Sequence, residues 1–367
     1  MGARAQVAAP QPSLPRHPTG VGTAAARLVA DLAAATGPDP AYVLTEWGDG
    51  TASPLYCPVL ERDDEALGQE VDDRLVAWAE GCGFAEDVRE QIRATGFGRQ
   101  AMLVHPDTDD PDRLLIAAQM NAAWWAADDL YADDTELGAV PSELPPRLAL
   151  VTAAMDPVAP AGEFSEPLEE AIRADRVLVA LRSGMSHMAR HAGPAQLQRV
   201  CYATSSMFVI WNTYAAWRHT GVYPPAWEYL AARQHDSFYT SMTLIDVVGG
   251  YELDAALFYQ PDVRRALMQA GTAAVMVNDL YSVAKDAADE NPVCNMVLQI
   301  AADRDCSIRE ATEATVELHN DLVRDFARSH AALRAAPSLE LQRFLRGVRG
   351  WMAGGFAWHS TNPRYRS

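Results

Sequence analysis

Asn278, Ser282 and Asp286 stand four residues apart in turn within Asn278-Asp279-Leu280-Tyr281-Ser282-Val283-Ala284-Lys285-Asp286. On a helix this spacing sets an amide oxygen, a hydroxyl and a carboxylate along one face. Such a row of hard oxygens suits a divalent cation, above all Mg2+, with coordination positions left for water or phosphate. Lys285, next to Asp286, is placed to reach a phosphate oxygen. A second acidic group, Asp128-Asp129-Leu130-Tyr131-Ala132-Asp133-Asp134, lies 150 residues earlier. Two carboxylates ~4 Å apart repel by roughly 4 kcal/mol at an effective dielectric near 20. Taken singly, each cluster is equally well a solvated helix end. Both together, each ending an apolar stretch, point to carboxylates joined by a cation.

The elements that must carry these residues read as helices. Asp110-Pro111 is a helix start, with an Asp cap and proline at the first helical position. The helix is expected to run over 111–134, with Leu114, Ala118, Asn121, Trp125 and Asp128 on one stripe and Asp133-Asp134 as a capping turn. The second cluster closes a helix over 262–286, behind which Leu267, Gly271, Ala274 and Val275 form a core-like stripe. Further helices are expected over 72–81, 85–95, 167–185, 194–218, 226–238, 242–248, 255–259, 308–335 and 339–357. Pro54-Leu55-Tyr56-Cys57-Pro58 reads as extended, since each proline biases its predecessor away from helix. No stretch reads as a strand, and no repeat is evident. The expected architecture is all-α, a single domain over 41–367 with more helices than a four-helix bundle. Residues 1–40, rich in Pro and Ala, read as a disordered arm with a short helix over 23–36.

Composition narrows the partners. The chain of 367 residues has a formal net charge of −19, which argues against nucleic acid and anionic membrane surfaces. A bound Mg2+ would still invert the local sign for a small anionic substrate. Five cysteines at irregular spacing, with no Cys-x-x-Cys, disfavour a zinc site or a disulfide framework and fit a reducing cytoplasm. No apolar run matches a secretory signal or a membrane span. His235-Asp236, the acidic run Asp107-Thr108-Asp109-Asp110-Pro111-Asp112 and Gly184-Met185-Ser186-His187-Met188 each lack residues that a phosphohydrolase, a calcium loop or a nucleophile elbow requires.

Together the two acidic clusters resemble those of the class I terpene synthases. The second motif has the full Asn-x-x-x-Ser-x-x-x-Asp form. The first departs from Asp-Asp-x-x-Asp, since Ala132 holds the third acidic slot and Asp133 follows. Arg233, 45 residues before Asn278, resembles the family's pyrophosphate-sensing arginine, Asp236 its linker and Ser237 its effector. Arg364-Tyr365, 86 residues after Asn278, resembles the C-terminal pair that closes over the diphosphate. The stretches 54–58, Arg62-Asp63-Asp64, 74–80, 97–112, 227–234, 248–253, 343–349 and 358–365 are similar to bacterial 2-methylisoborneol synthases and to the related 2-methylenebornane producers.

The resemblance implies an α-helical bundle around a hydrophobic cavity and three Mg2+ ions. Asp128, Asp129, Asp133, Asn278, Ser282 and Asp286 would hold the metal; Arg233, Lys285, Arg364 and Tyr365 would hold the diphosphate. It implies ionisation of an allylic diphosphate, the C11 2-methylgeranyl diphosphate, and cyclisation to 2-methylisoborneol or 2-methylenebornane. A separate methyltransferase would supply that substrate, and a homodimer is the family's expected assembly. Trp125, Phe208, Trp211, Phe238 and Trp358 are the candidate cavity aromatics, with Trp351 and Phe356 further candidates; π faces would stabilise the carbocation. The alternatives are a cyclase of unmethylated geranyl or farnesyl diphosphate and a non-catalytic helical scaffold with a degenerate site.

Overall fold

The described residues open on a short antiparallel hairpin that the sequence pattern did not announce. The computed structural model describes residues 41–132, 140–288 and 295–362. The expected arm over 1–40, the Asp133-Asp134 turn and the Arg364-Tyr365 pair lie outside these residues. Strands β1 (Tyr42–Thr45) and β2 (Leu55–Pro58) pair with Tyr42 opposite Pro58 and Thr45 opposite Leu55. Extended backbone around Pro54 and Pro58 was legible; its pairing depends on tertiary partners. Asn320 accepts from the Tyr56 amide at 2.6 Å and donates to Pro54 O at 3.1 Å.

Helices α1 (Glu65–Gly81), α2 (Glu86–Thr95), α3 (Phe97–Val104) and α4 (Pro111–Ala127) follow. Asp64 caps α1 by accepting from Leu67 N. Asp110 caps α4 by accepting from Asp112 N at 2.9 Å, with Pro111 at the first helical position as expected. α4 is buried almost all round, as befits a helix at the centre of a domain. It ends sooner than the pattern suggested: Asp128–Ala132 winds as one wider π turn. α3 was missed because its N-terminal amides are capped from a distance. Asp72 on α1 accepts from Gly98 N at 2.6 Å and from Arg99 N at 3.0 Å.

Next come α5 (Leu144–Met155), α6 (Ser165–Ala174), α7 (Arg176–Met188) and α8 (Pro194–Thr220). The single helix expected over 167–185 is two, because Asp175 turns extended and caps a new start by accepting from Val177 N and Leu178 N. α5, missed behind its Pro145-Pro146 pair, tolerates both prolines in its first turn. Where one helix was expected over 226–238, α9 (Ala226–Arg233) stops and the chain turns before α10 (Tyr239–Met242) and α11 (Ile245–Val248).

The remaining helices are α12 (Ala255–Phe258), α13 (Pro261–Asp286), α14 (Met296–Arg304), α15 (Ile308–Leu333) and α16 (Leu339–Thr361). α13 is the axis of the bundle, packed on α15, α16 and α10, while α4 packs on α1, α3 and α7. Gly271 allows α10 to approach α13 closely, since a Cβ there would lie 2.7 Å from Tyr239 N. The broken chain between α9 and α10 therefore rests directly on α13. Among the described residues, no helix is long and apolar enough to cross a membrane.

Candidate active site

The C-terminal turns of α13 carry Asn278, Ser282 and Asp286, and all three line one cavity together with Lys285. The helical spacing read from the sequence is thus realised. Their side chains are held before any ligand arrives. Ser282 Oγ donates to Asp286 Oδ2 at 2.5 Å. Asn295, the cap of α14, donates to the same oxygen at 2.8 Å and to Asp279 O at 2.8 Å. On the other side His359 of α16 fixes Asn278. Its Nδ1 donates to Gly355 O at 2.7 Å, so Nε2 accepts from Asn278 Nδ2 at 3.2 Å. Burial pushes His359 down to about 4, which keeps Nε2 an acceptor at neutral pH. The Asn278 amide is thereby oriented, with Oδ1 on the side of Arg233, whose Nη2 lies 3.3 Å away. Neither His359 nor Asn295 was singled out in the sequence; His359 comes from a helix 81 residues on from Asn278, and Asn295 from the start of the helix that follows α13.

Arg233 ends α9, and the break after it wraps the guanidinium in acceptors. Nη1 donates to Asp236 Oδ2 at 2.7 Å, and Nη2 donates to Asp279 Oδ1 at 2.6 Å. Asp279 is fully buried and also accepts from Met296 N at 2.9 Å. Burial raises the Asp279 carboxyl, to about 6, against the pull of Arg233. Burial opposes the charge on Arg233 too, but Asp279 and its neighbours hold the guanidinium well above its ordinary value. The buried Arg233 Nε finds no acceptor among the described residues. Asp236 lines the cavity and accepts from Trp211 Nε1 at 3.1 Å. Ser237 also lines it, its hydroxyl turned back onto Gln234 O at 2.8 Å.

The first acidic cluster divides. Asp128 lines the cavity; Asp129 does not. Successive helical residues point roughly 100° apart, so a turn that aims Asp128 inward aims its neighbour elsewhere. The metal reading of Asp129 finds no support in this geometry. The wide turn is pinned at two points: Tyr131 Oη donates to Asp175 Oδ2 at 2.5 Å, and Arg218 Nη1 donates to Ala132 O at 2.9 Å. Burial, then the neighbouring Asp175 carboxylate, raises the Tyr131 hydroxyl far above its usual range, so it stays a donor.

Away from the charged rim the wall is aromatic, with Trp124, Trp125, Trp211, Tyr214 and Phe238 lining it. Met207, Trp211, Tyr214 and Arg218 form one stripe of α8 at i, i+4, i+7 and i+11; of these the sequence reading named only Trp211. Phe208 and Trp358, expected in the wall, stand beside the residues that line this cavity. Phe208 is one position off the α8 stripe and packs on Trp211 at 5.3 Å. Trp358 stands behind the wall, 5.7 Å from the Trp125 ring, with its Nε1 donating to Thr95 O and Gly96 O at 3.2 Å each. Trp351 likewise packs behind Phe238 at 4.8 Å.

These residues fit a metal-bound diphosphate. The donors of the α13 row are all hard oxygens, the choice for Mg2+. Arg218, Arg233 and Lys285 supply positive charge around the same cavity, and Arg233 Nε is a buried donor in need of an acceptor. An apolar chain attached to the diphosphate would face aromatic rings and Val275.

Residues 119–325 match the family model for terpene synthase family 2, C-terminal metal binding. The chain is 36% identical over 354 residues to a 2-methylisoborneol synthase of Streptomyces ambofaciens, spanning 95% of this chain and 79% of that protein. It is 37% identical to a 2-methylisoborneol synthase of Streptomyces griseus, over 84% of this chain and 71% of that one. Its fold is similar, at a TM-score of 0.82 and 34% identity, to the crystal structure of 2-methylisoborneol synthase from Streptomyces coelicolor A3(2) in complex with Mg2+ and 2-fluoroneryl diphosphate. That likeness covers 86% of this chain and 98% of the crystallised one.

Proposed function

The chain belongs to the class I terpene synthases, and on that premise we propose that it cyclises 2-methylgeranyl diphosphate in a Mg2+-dependent reaction. The observation that carries this reading is the convergence of Asp128 with the Asn278, Ser282 and Asp286 row on one aromatic cavity. Likeness to 2-methylisoborneol synthases over most of the chain supports the C11 substrate and a bornane-type product.

Asn278 Oδ1, Ser282 Oγ and the Asp286 carboxylate would hold Mg2+ from α13, and Asp128 from α4. Mg2+, when bound, supplies charge that weakens the bond between the allylic carbon and the diphosphate oxygen. Asn295 and His359 keep the ligand row aligned, so little reorganisation is needed at the moment of reaction. Arg233, at the cavity wall, would donate to the diphosphate while Asp279 anchors its guanidinium. Lys285 and Arg218 add donors at the rim. By the family resemblance, Arg364 and Tyr365 would bind the same anion and Asp133 the metal. Trp125, Trp211 and Phe238 would face the allylic cation and stabilise it through their π faces. These charges and rings act by preorganised electrostatics, without an acid–base pair. A separate methyltransferase would supply the methylated substrate, and the functional unit would be a homodimer.

The test is incubation with Mg2+ and C10, C11 or C15 allylic diphosphates, followed by analysis of volatile products. A bicyclic C11 alcohol or alkene as the main product is expected. A cyclic product from the C15 substrate alone would overturn the substrate assignment. No diphosphate release from any of the three would favour the scaffold alternative. Removing divalent cations with EDTA should abolish turnover and Mg2+ should restore it.

A further inference from the structure

At the end of α4 opposite the acid cluster, two imidazoles and a carboxylate converge. Asp112 lies in the first turn of α4, 16 residues and therefore about 24 Å of helix from Asp128. His187 and His191 follow each other at i, i+4 around the end of α7, and their ring centroids are 5.5 Å apart. One ligand atom from each of the three residues lies within 4.8 Å of the others. We propose that Asp112, His187 and His191 form a binding site for a divalent transition metal of the zinc class, separate from the diphosphate site.

The geometry suits such an ion. Four-coordinate zinc has bonds of about 2.0–2.1 Å to nitrogen and oxygen, so neighbouring ligand atoms stand about 3.3 Å apart. His187 Nε2 is 3.4 Å from Asp112 Oδ1, and His191 Nε2 is 3.2 Å from Asp112 Oδ2. Each imidazole thus faces one oxygen of the Asp112 carboxylate at about the separation of two ligands on one ion.

The tautomer is also set. Gln119 Oε1 sits 2.7 Å from His187 Nδ1, so Nδ1 donates and Nε2 carries the lone pair toward Asp112. A ligating imidazole whose other nitrogen is held by an oxygen acceptor is the usual arrangement of protein metal sites. His187 has a side chain only 5% exposed, and its buried Nε2 makes no hydrogen bond. With the proton on Nδ1, the Nε2 lone pair faces the Asp112 carboxylate at 3.4 Å, an acceptor-to-acceptor contact that a bound cation would relieve. Asp112 and His191 are partly open, which leaves room for a water as fourth ligand. Arg190, the nearby cation acting on Asp112, is exposed and free to swing into solvent. The donor set separates the two sites: imidazole nitrogens here favour zinc-class ions, and the oxygen-only row on α13 favours Mg2+.

The test is calorimetric titration of the full, untagged chain with Zn2+, after EDTA treatment and in excess Mg2+. A parallel Co2+ titration, followed by visible absorption, reports nitrogen ligation in a four-coordinate site. One equivalent per chain is expected. Asp112→Asn and His191→Ala, both at partly exposed positions, should weaken it at least tenfold, and Gln119→Leu by ~10-fold. Circular dichroism checks that each variant is folded. Asn278→Ala should retain the equivalent. The proposal is overturned if the wild type binds no Zn2+ under Mg2+ competition, or if Asp112→Asn and His191→Ala bind it unchanged. Loss of the equivalent in Asn278→Ala would overturn it equally, by placing the ion in the diphosphate site, and would leave the cyclase reading standing.

Discussion

Asn278 is set from two sides, by His359 through its amide nitrogen and by Arg233 near its oxygen. In the proposed site, replacing it with alanine would remove a metal ligand, and loss of one well-placed electrostatic contact costs about 10²–10³ in kcat. Asn278→Ala should therefore lose at least that much in diphosphate release while keeping its fold; full turnover would sink the ligand assignment. Arg233 illustrates the opposite balance. Arg233→Met leaves Asp279 buried and unpaired, which should cost about 3–5 kcal/mol in urea unfolding. A stability within 1 kcal/mol of wild type would show that the pair contributes little. His319, held down to about 4 first by burial, gives a signed pH effect. Its folded value lies below the ordinary 6.5, so its contribution is complete above pH 6.5 and is lost as the pH falls toward 4. Over that window wild type should lose about 1.4 kcal/mol per pH unit more than His319→Gln. Parallel stability curves for the two proteins would refute the assignment.

At the scale of elements, the site depends on helices that stop. α4 opens into the π turn at Asp128, and α9 stops at Arg233, where the chain folds back onto α13. Gly271 makes the second of these possible. Gly271→Ala would press a methyl group against the Tyr239 backbone, moving the segment that carries Phe238 and Arg233. A loss of about 1–3 kcal/mol is expected, with a fall in kcat larger than stability alone explains. Wild-type melting and kcat in this variant would show that the contact relaxes freely. The first acidic cluster depends likewise on Asp175, which caps α7 through Oδ1 and holds Tyr131 through Oδ2. Which helices were legible follows the same physics. α4 and α15 carry their caps in adjacent residues, Asp110 for one and the Ser307–Glu310 capping box for the other. α3 takes its cap from Asp72, 26 residues away. No local pattern reveals a cap donated by another helix.

At the scale of the whole molecule, a chain of net charge −19 could receive the proposed anionic substrate because the field is local. Arg218, Arg233 and Lys285 gather at the cavity, and carboxylates beside them would be neutralised by metal. The aromatic cavity and the His-containing cluster lie at opposite ends of α4, so loading of one is expected to leave the other unchanged. The hairpin and α15 also show long-range assembly, with Asn320 holding β2 across more than 260 residues of sequence.

The sequence by itself determined the helical class, the start of α4, the course of α13 and the row of Asn278, Ser282 and Asp286 along it. These follow from helical period and adjacent caps, which are local. It also carried enough resemblance to point to the family. Tertiary structure alone decided that the end of α4 opens into a π turn, pinned by Asp175 and Arg218. It alone set Trp358 behind Trp125 rather than in the wall, and His359 and Asn295 beside the ligand row. Those outcomes depend on which helices meet and at what rotation, and no spacing within a single element encodes that.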